Sequence, residues 1–233
     1  MRRYAALVTM VVSSVTLACA SFPGRSDPAR ERLAIGAPDS FLVQFETSRG
    51  RFDVMARSQW APVGVDRFYE LLRQHYYDNV YFFRVVGNFV AQFGITGDPA
   101  ISSAWRNRRI ADDSVRHGNT RGAVSFARGG PGTRTVQLYV NLVNNPQLDT
   151  SGRIGFPAIA EVVSGMNVVD SIYSGYSRPR TQPPSTRPDS TPSQDSISRV
   201  GNAYLNRHYP KLDYIKTARV IREWRSPRDN ARR

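Results

Sequence analysis

The strictest constraint on the fold lies between residues 39 and 57. Phe41, Val43 and Phe45 alternate with polar neighbours, and after Ser48-Arg49-Gly50 the run Arg51-Phe52-Asp53-Val54 resumes the alternation. A period of two places every apolar side chain on one face of an extended chain, and the turn residues between the runs fold them into a hairpin. An isolated hairpin is marginal in water, so its apolar face needs further strands to cover it. Strand-like runs recur at residues 80–83, 89–93, 122–126, 136–143 and 159–163, and residues 218–224 alternate as a last strand. Pro62 opens a helix in which Val65, Phe68, Leu71 and Leu72 share a face, and residues 166–172 form a second. Many strands with turn signals between them and only two helices predict a mainly β domain, a closed antiparallel sheet with helices at its ends.

The length of 233 residues suits one such domain and does not require a second. With 40% hydrophobic and 11% aromatic residues, the chain can build its core without disulfides or metals. Cys19 is the only cysteine, so no intrachain disulfide forms. The net charge of +13 suggests nucleic acid until it is mapped along the chain. Residues 39–173 carry 14 basic and 12 acidic side chains, whereas residues 174–233 carry 13 basic and 5 acidic. Nucleic-acid binding gathers basic residues on one folded face with a matching motif. Here the excess falls in a low-complexity stretch and at the terminus, so no nucleic acid is expected as a partner. Anionic lipid headgroups suit a basic tail equally well.

The ends of the chain read differently from its middle. Met1-Arg2-Arg3, an apolar run over residues 4–17 and the small residues Ala18-Cys19-Ala20 form a targeting segment over residues 1–19, too short to span a bilayer permanently. Ala18-Cys19-Ala20 fits ordinary signal cleavage, while Leu17-Ala18-Cys19 resembles a bacterial lipobox with Thr16 in place of the usual leucine. The lipoprotein reading gives the lone Cys19 a purpose, as a lipidated anchor to the membrane; the alternative is a secreted soluble protein. Either way the expectation is export, to the periplasm or envelope. Residues 20–38 form a polar tether, the domain occupies residues 39–225, and residues 226–233 form a basic tail. Within the domain, residues 177–198 hold five prolines, many Ser and Thr and almost no large apolar side chain, the composition of a disordered or polyproline-like insertion.

Motifs for other chemistries are sparse. His75, His117 and His208 are far apart in sequence and have no cysteine cluster near them, so no metal site is expected. No serine sits in a Gly-x-Ser-x-Gly elbow. The loop Arg128-Gly129-Gly130-Pro131-Gly132-Thr133 could cradle phosphate only with a helix directly after it, and Val136-Gln137-Leu138-Tyr139-Val140 reads instead as a strand.

The segment Phe82-Phe83-Arg84-Val85-Val86-Gly87-Asn88-Phe89-Val90-Ala91-Gln92 resembles the cyclophilin signature Phe-x-Arg-Val followed by Gly-Phe-x-x-Gln. Gly122-Ala123-Val124-Ser125-Phe126-Ala127-Arg128 is similar to the family's Gly-x-x-Ser-Met-Ala-Asn, and Gln137-Leu138-Tyr139-Val140-Asn141 to its Gln-Phe-Phe-Ile. Leu148-Asp149 and Glu161-Val162-Val163-Ser164-Gly165-Met166 continue in the same order, and residues 201–205 and 210–215 resemble a bacterial exported branch. The resemblance implies a closed eight-stranded antiparallel barrel capped by two helices. It also implies peptidyl-prolyl cis-trans isomerase activity on proline-containing polypeptides, without a cofactor and in a monomer.

The family's catalytic arginine falls on Arg84, with Phe89 and Gln92 as its catalytic companions. Phe89, Val90, Tyr139 and Leu148 match the apolar proline pocket. Gln92 and Gln137 match polar positions that bind the substrate or orient the arginine, and Ala127, Arg128 and Gly129 match the edge that binds the peptide backbone. Arg128 stands where asparagine is common, Tyr139 where phenylalanine is common and Gln147 where a pocket-rim residue often occurs. Residues 155–160 lack a histidine found there in many members. A non-catalytic module that holds proline-containing segments would bind the same ligands.

Overall fold

The computed structural model describes residues 36–178 and 190–226. The export segment with Cys19, most of the tether, residues 179–189 of the proline-rich stretch and the tail after Ser226 lie outside the described residues. Nine strands form one antiparallel sheet: β1 (Ser40–Thr47), β2 (Gly50–Arg57), β3 (Val80–Tyr81), β4 (Arg84–Val86), β5 (Val90–Phe93), β6 (Ala123–Phe126), β7 (Leu138–Asn141), β8 (Ala158–Ser164) and β9 (Tyr214–Trp224). Their order across the sheet is β3-β9-β1-β2-β8-β6-β7-β5-β4. The hairpin read from residues 39–57 is β1 and β2, paired from Ser40↔Arg57 to Thr47↔Gly50.

The count of nine reconciles with the expected eight at the ends of that order. β3 and β4 are consecutive in the chain and separated only by Phe82 and Phe83, and the Phe82 amide donates to the Asp213 carbonyl beside β9 (3.0 Å). Taken as one interrupted strand, they pair with β9 on one side and β5 on the other, which closes the ring. Val80, Phe82 and Val85 enter the barrel core, while Tyr81 and Phe83 pack on a separate outer cluster. Strict alternation from Phe82 would send Arg84 inward; the break shifts the phase by one residue, so Phe83 and Arg84 both face outward.

The core is the inner face of the barrel. Phe41, Phe45, Phe52, Phe68, Phe82, Phe93 and Phe126 are all essentially buried, with Phe45 and Phe52 stacked across the hairpin at 4.8 Å. Helix α1 (Pro62–Arg73) buries Val65, Phe68, Leu71 and Leu72 against it. Its N-terminus has no local side-chain cap. Instead the Asp113 carboxylate accepts from the Val63 and Gly64 amides (3.0 and 2.9 Å), satisfying two of the helix's orphan donors. Asp113 also pairs with Arg134, fully buried, at 2.9 Å. Glycine is needed at position 64, because a Cβ there would stand 2.8 Å from Ile159 and 3.0 Å from the Arg134 guanidinium.

Helix α3 (Met166–Asp170) inserts Val169 into the same core, as the second helical stretch of the sequence foresaw. Three more short helices occur among the described residues: α2 (Pro99–Trp105), α4 (Gln194–Val200) and α5 (Asn202–His208). Of these, α4 overlaps the stretch at residues 177–198 that reads as a disordered or polyproline-like insertion, and the C-terminal end of that stretch is helical and packed. Ser177 is buried, and Ile197 on α4 is fully buried in a second cluster with Phe83, Ile95, Leu205 and Leu212. One apolar anchor per seven-residue helix suffices when it enters a preformed niche, and it leaves too little pattern to read. Part of the C-terminal basic excess is likewise folded into the domain: Arg219 on β9 forms an ion pair with Asp78 at 2.6 Å.

Candidate active site

The site lies on the outer face of the barrel, along one transverse row of the sheet. Arg84 on β4 stands opposite Gln92 on β5, Gln92 opposite Tyr139 on β7, and Tyr139 opposite Ser125 on β6. Cross-strand partners share a face, so the row presents these side chains together while Val85, Ala91, Val124 and Val140 beside them enter the core. The β4–β5 connection turns through Asn88, whose φ of 57° is left-handed, and its last residue Phe89 is held by its carbonyl, which accepts from the Leu142 amide and from Asn145 Nδ2. Leu148 enters from a short 3₁₀ turn, Pro146–Leu148.

Eight of the ten proposed site residues converge on one cavity of about 180 Å³: Arg84, Phe89, Val90, Gln92, Ala127, Arg128, Tyr139 and Leu148, joined by Phe156. Gly129 and Gln137 line an adjoining cavity of about 220 Å³ that shares Gln92, Ala127 and Arg128 with the first. Arg84 Nη1 donates to Gln92 Oε1 (3.2 Å), and its guanidinium carbon lies 5.9 Å from the centre of the Phe89 ring. Gln92 Nε2 donates in turn to Gln137 Oε1 (2.9 Å). The outcome is an apolar pocket with a permanently charged, donor-only fork at its rim.

The walls differ in places from the sequence reading. Arg128 contributes its side chain, which lies 4.7 Å over the Phe156 ring and donates to the carbonyls of Gly155 (2.7 Å) and Ser151 (3.1 Å). Phe156 supplies the wall left open by the missing histidine, meeting Tyr139 edge to face at 6.0 Å. Gln147 donates to Asn145 Oδ1 and does not line the cavity. The amides of Ala127 and Gly129 are already engaged, by the Gln137 carbonyl and by Thr133 Oγ1.

Beneath the pocket floor sits a network that sequence reasoning missed. The Tyr139 hydroxyl donates to Asn119 Oδ1 (2.9 Å), which also accepts from Ser125 Oγ (3.0 Å) and Asn141 Nδ2 (3.2 Å). Asn119 Nδ2 donates to Asp149 Oδ1 and to the Phe156 carbonyl, both at 2.8 Å. Burial pushes the Tyr139 phenol well above its ordinary value, so it is a neutral donor. The extra hydroxyl that tyrosine brings to a phenylalanine position thus has a partner ready for it.

A barrel with an outward-facing arginine beside a small apolar pocket defines a class of site that can seat a small apolar ring next to a charged hydrogen-bond donor. The model of the family described as cyclophilin type peptidyl-prolyl cis-trans isomerase matches residues 42–202. Peptidyl-prolyl cis-trans isomerase B of Escherichia coli is 33% identical over 138 residues, which cover 56% of this chain and 83% of that protein. Peptidyl-prolyl cis-trans isomerase ppi1 of Schizosaccharomyces pombe is 33% identical over 129 residues, 54% of this chain and 81% of its own. In structure, a cyclophilin-type isomerase of Cryptosporidium parvum superposes with a TM-score of 0.55 at 16% identity, over 79% of this chain and 99% of its own, which is a likeness of fold. The chain belongs to the cyclophilin-type peptidyl-prolyl cis-trans isomerase family and is a peptidyl-prolyl cis-trans isomerase.

Proposed function

We propose that this isomerase acts outside the cytoplasm on proline-containing segments of exported or envelope proteins, with Arg84 as its catalytic group and Cys19 as its lipid anchor. Resonance between nitrogen and carbonyl sets a barrier of about 18–20 kcal/mol to rotation of a peptide bond. Uncatalysed, an X-Pro bond turns over in roughly 10–100 s. Nothing covalent has to happen; the enzyme needs only to favour the twisted amide over the planar one. With the proline ring seated between Phe89, Val90, Tyr139 and Leu148, the Arg84 guanidinium donates toward the carbonyl oxygen or the pyramidalising nitrogen as conjugation is lost. The observation that carries this reading is the direct apposition of Arg84 and Gln92 at the rim of that pocket. A related solved structure, that of the Cryptosporidium parvum isomerase, was obtained in the presence of the dipeptide Ala-Pro, which supports proline-containing substrates here.

Magnetisation-transfer NMR of an Ala-Pro peptide tests the catalytic part. Arg84→Ala should slow exchange by about 10²-fold, comparable to losing one preorganised donor, with a smaller effect on binding. A folded Arg84→Ala variant that exchanges the peptide as fast as wild type would reject the mechanism, and a wild type with no exchange would favour a binding module. The export part rests on Met1-Arg2-Arg3, the apolar run and Ala18-Cys19. Cys19→Ser should move the protein from the membrane to the soluble fraction; wild type recovered as a soluble species beginning at Ser21 would refute the anchor.

A further inference from the structure

Helix α4 begins inside the stretch that reads as an interruption of the domain, yet it sits beside the arginine strand. Ile197 packs in the same cluster as Phe83, the residue before Arg84. Ser177, just ahead of residues 179–189, accepts from the Val85 amide (3.2 Å), one residue after Arg84, and Thr191 Oγ1 donates to Ser177 Oγ (3.0 Å). Ser177 is therefore fixed to β4, and Thr191, beyond residues 179–189, is fixed to Ser177. The Ser193 hydroxyl caps α4 by accepting from the Ser196 amide, and the first residue of the helix is Gln194.

Gln194 Oε1 accepts from Gln137 Nε2 at 3.0 Å and borders the cavity next to the proline pocket. Together with the two inner bonds this makes a relay of four side chains, Arg84 to Gln92 to Gln137 to Gln194. Its bonds all run in one sense: every amide turns its oxygen toward the arginine and its nitrogen away. The guanidinium dictates that sense, because it donates and cannot accept. An accepting group at the outer end sustains that sense through Gln137 and Gln92.

We propose that Gln194 is a positioning residue for Arg84: it ends the relay with an acceptor and so holds Gln137 and Gln92 in the orientation that lets Gln92 accept from the guanidinium. The inference rests on Arg84 as the catalytic group. It assigns to the proline-rich stretch a part in catalysis, by orienting the arginine without touching the peptide bond.

Gln194 is exposed at the start of α4, so its variants should leave the fold intact. Gln194→Glu keeps an acceptor facing Gln137. Gln194→Lys offers only a donor, which forces Gln137 and then Gln92 to turn over and brings the Gln92 amide nitrogen against the guanidinium. On-enzyme exchange of an Ala-Pro peptide, measured by magnetisation transfer, should fall about 5–10-fold in Gln194→Lys, the worth of one misdirected hydrogen bond. Gln194→Glu should stay within about twofold of wild type by the same measure. Peptide Kd should be nearly constant, and the Arg84 Nε–Hε and Gln92 side-chain amide resonances should shift in Gln194→Lys alone. Wild-type exchange in Gln194→Lys, equal losses in both variants, or a loss confined to Kd would each overturn the proposal, the last by making Gln194 a peptide contact. If Arg84→Ala is itself fully active, the catalytic reading falls and this inference with it. If Arg84→Ala is inactive and the two Gln194 variants behave alike, the inference alone fails.

Discussion

Arg84 and Gln92 face each other across the β4–β5 ladder, and the guanidinium of the first donates to the amide oxygen of the second at 3.2 Å. The pairing confines a side chain that otherwise has several rotamers. Gln92→Leu keeps the bulk and removes the acceptor, so turnover should fall by about tenfold while peptide binding changes less. Exchange rate and Kd from one NMR titration separate the two; a loss carried entirely by Kd would instead make Gln92 a substrate ligand only.

Tyr139 and Asn119 lead to a contrast between two substitutions at one hydrogen bond. Tyr139→Phe leaves Asn119 Oδ1 still accepting from Ser125 and Asn141, so stability should change by no more than about 1 kcal/mol. Asn119→Leu strands the Tyr139 and Ser125 hydroxyls and removes the side-chain donor shared by Asp149 and the Phe156 carbonyl, and should cost about 2–4 kcal/mol. Urea midpoints of the two variants compare them directly, and equal midpoints would show that the network adds nothing beyond its parts.

Asp113 both balances Arg134 and caps α1. Asp113→Ala would leave a guanidinium with no exposed surface beside Asp112 alone (3.3 Å), and breaking such a buried pair costs about 3–5 kcal/mol. Thermal unfolding should register the loss. A double change of Asp113→Ala with Arg134→Met should recover part of it, since the buried guanidinium is then gone and the Asp112 carboxylate left behind still accepts from the Gly132 amide.

Ile197 tests whether the proline-rich stretch belongs to the domain. Truncating this fully buried side chain to alanine should cost about 2–5 kcal/mol, the range for large-to-small changes in a packed cluster. A change of a few tenths, measured by urea unfolding, would mean that α4 is only loosely applied to Phe83.

Alkaline pH should weaken the fold through its buried phenols. Burial raises the pKa of Tyr76, Tyr77 and Tyr139, each of which donates a hydrogen bond inside the protein. A phenol whose folded value lies above its unfolded value of about 10 lends stability that is complete below that pH. The unfolded chain ionises first, so this stability drains as pH climbs from about 10 toward the folded values. The urea midpoint should hold steady below that point and fall above it, with phenolate absorbance appearing only on unfolding for these three.

Much of the barrel is legible in sequence because its strands obey a period of two over a single core; Phe41, Val43, Phe45, Phe52 and Val54 announce their face unaided. Most of the candidate site residues are legible only through the resemblance, whose signature carries Arg84, Val90 and Gln92 on the paired strands β4 and β5 and Phe89 in the turn between them. Asn119, Asp149 and Phe156 are not, since they meet through loops whose geometry no local pattern encodes. Arg134 is hidden in a different way. It comes after a glycine-rich loop that reads as surface, and only the tertiary approach of Asp112 and Asp113 explains its burial. Helices α4 and α5 bury Ile197 and Leu205, one anchor each, which is less than a turn-by-turn repeat requires.

The interruption between β3 and β4 makes chain length there a matter of parity. Elsewhere in the barrel an added or missing loop residue changes only the loop. At Phe82 and Phe83 the two-residue gap is what sets Arg84 out of phase with the core-facing Phe82. Removing one of the pair, or inserting a third, would exchange inside for outside along β4 and drive a guanidinium toward the packed aromatics while turning Val85 to solvent. Substitutions at these two positions trade one side chain for another and are graded by size and polarity. A change in their number is binary, because it decides which face of the barrel the arginine is on.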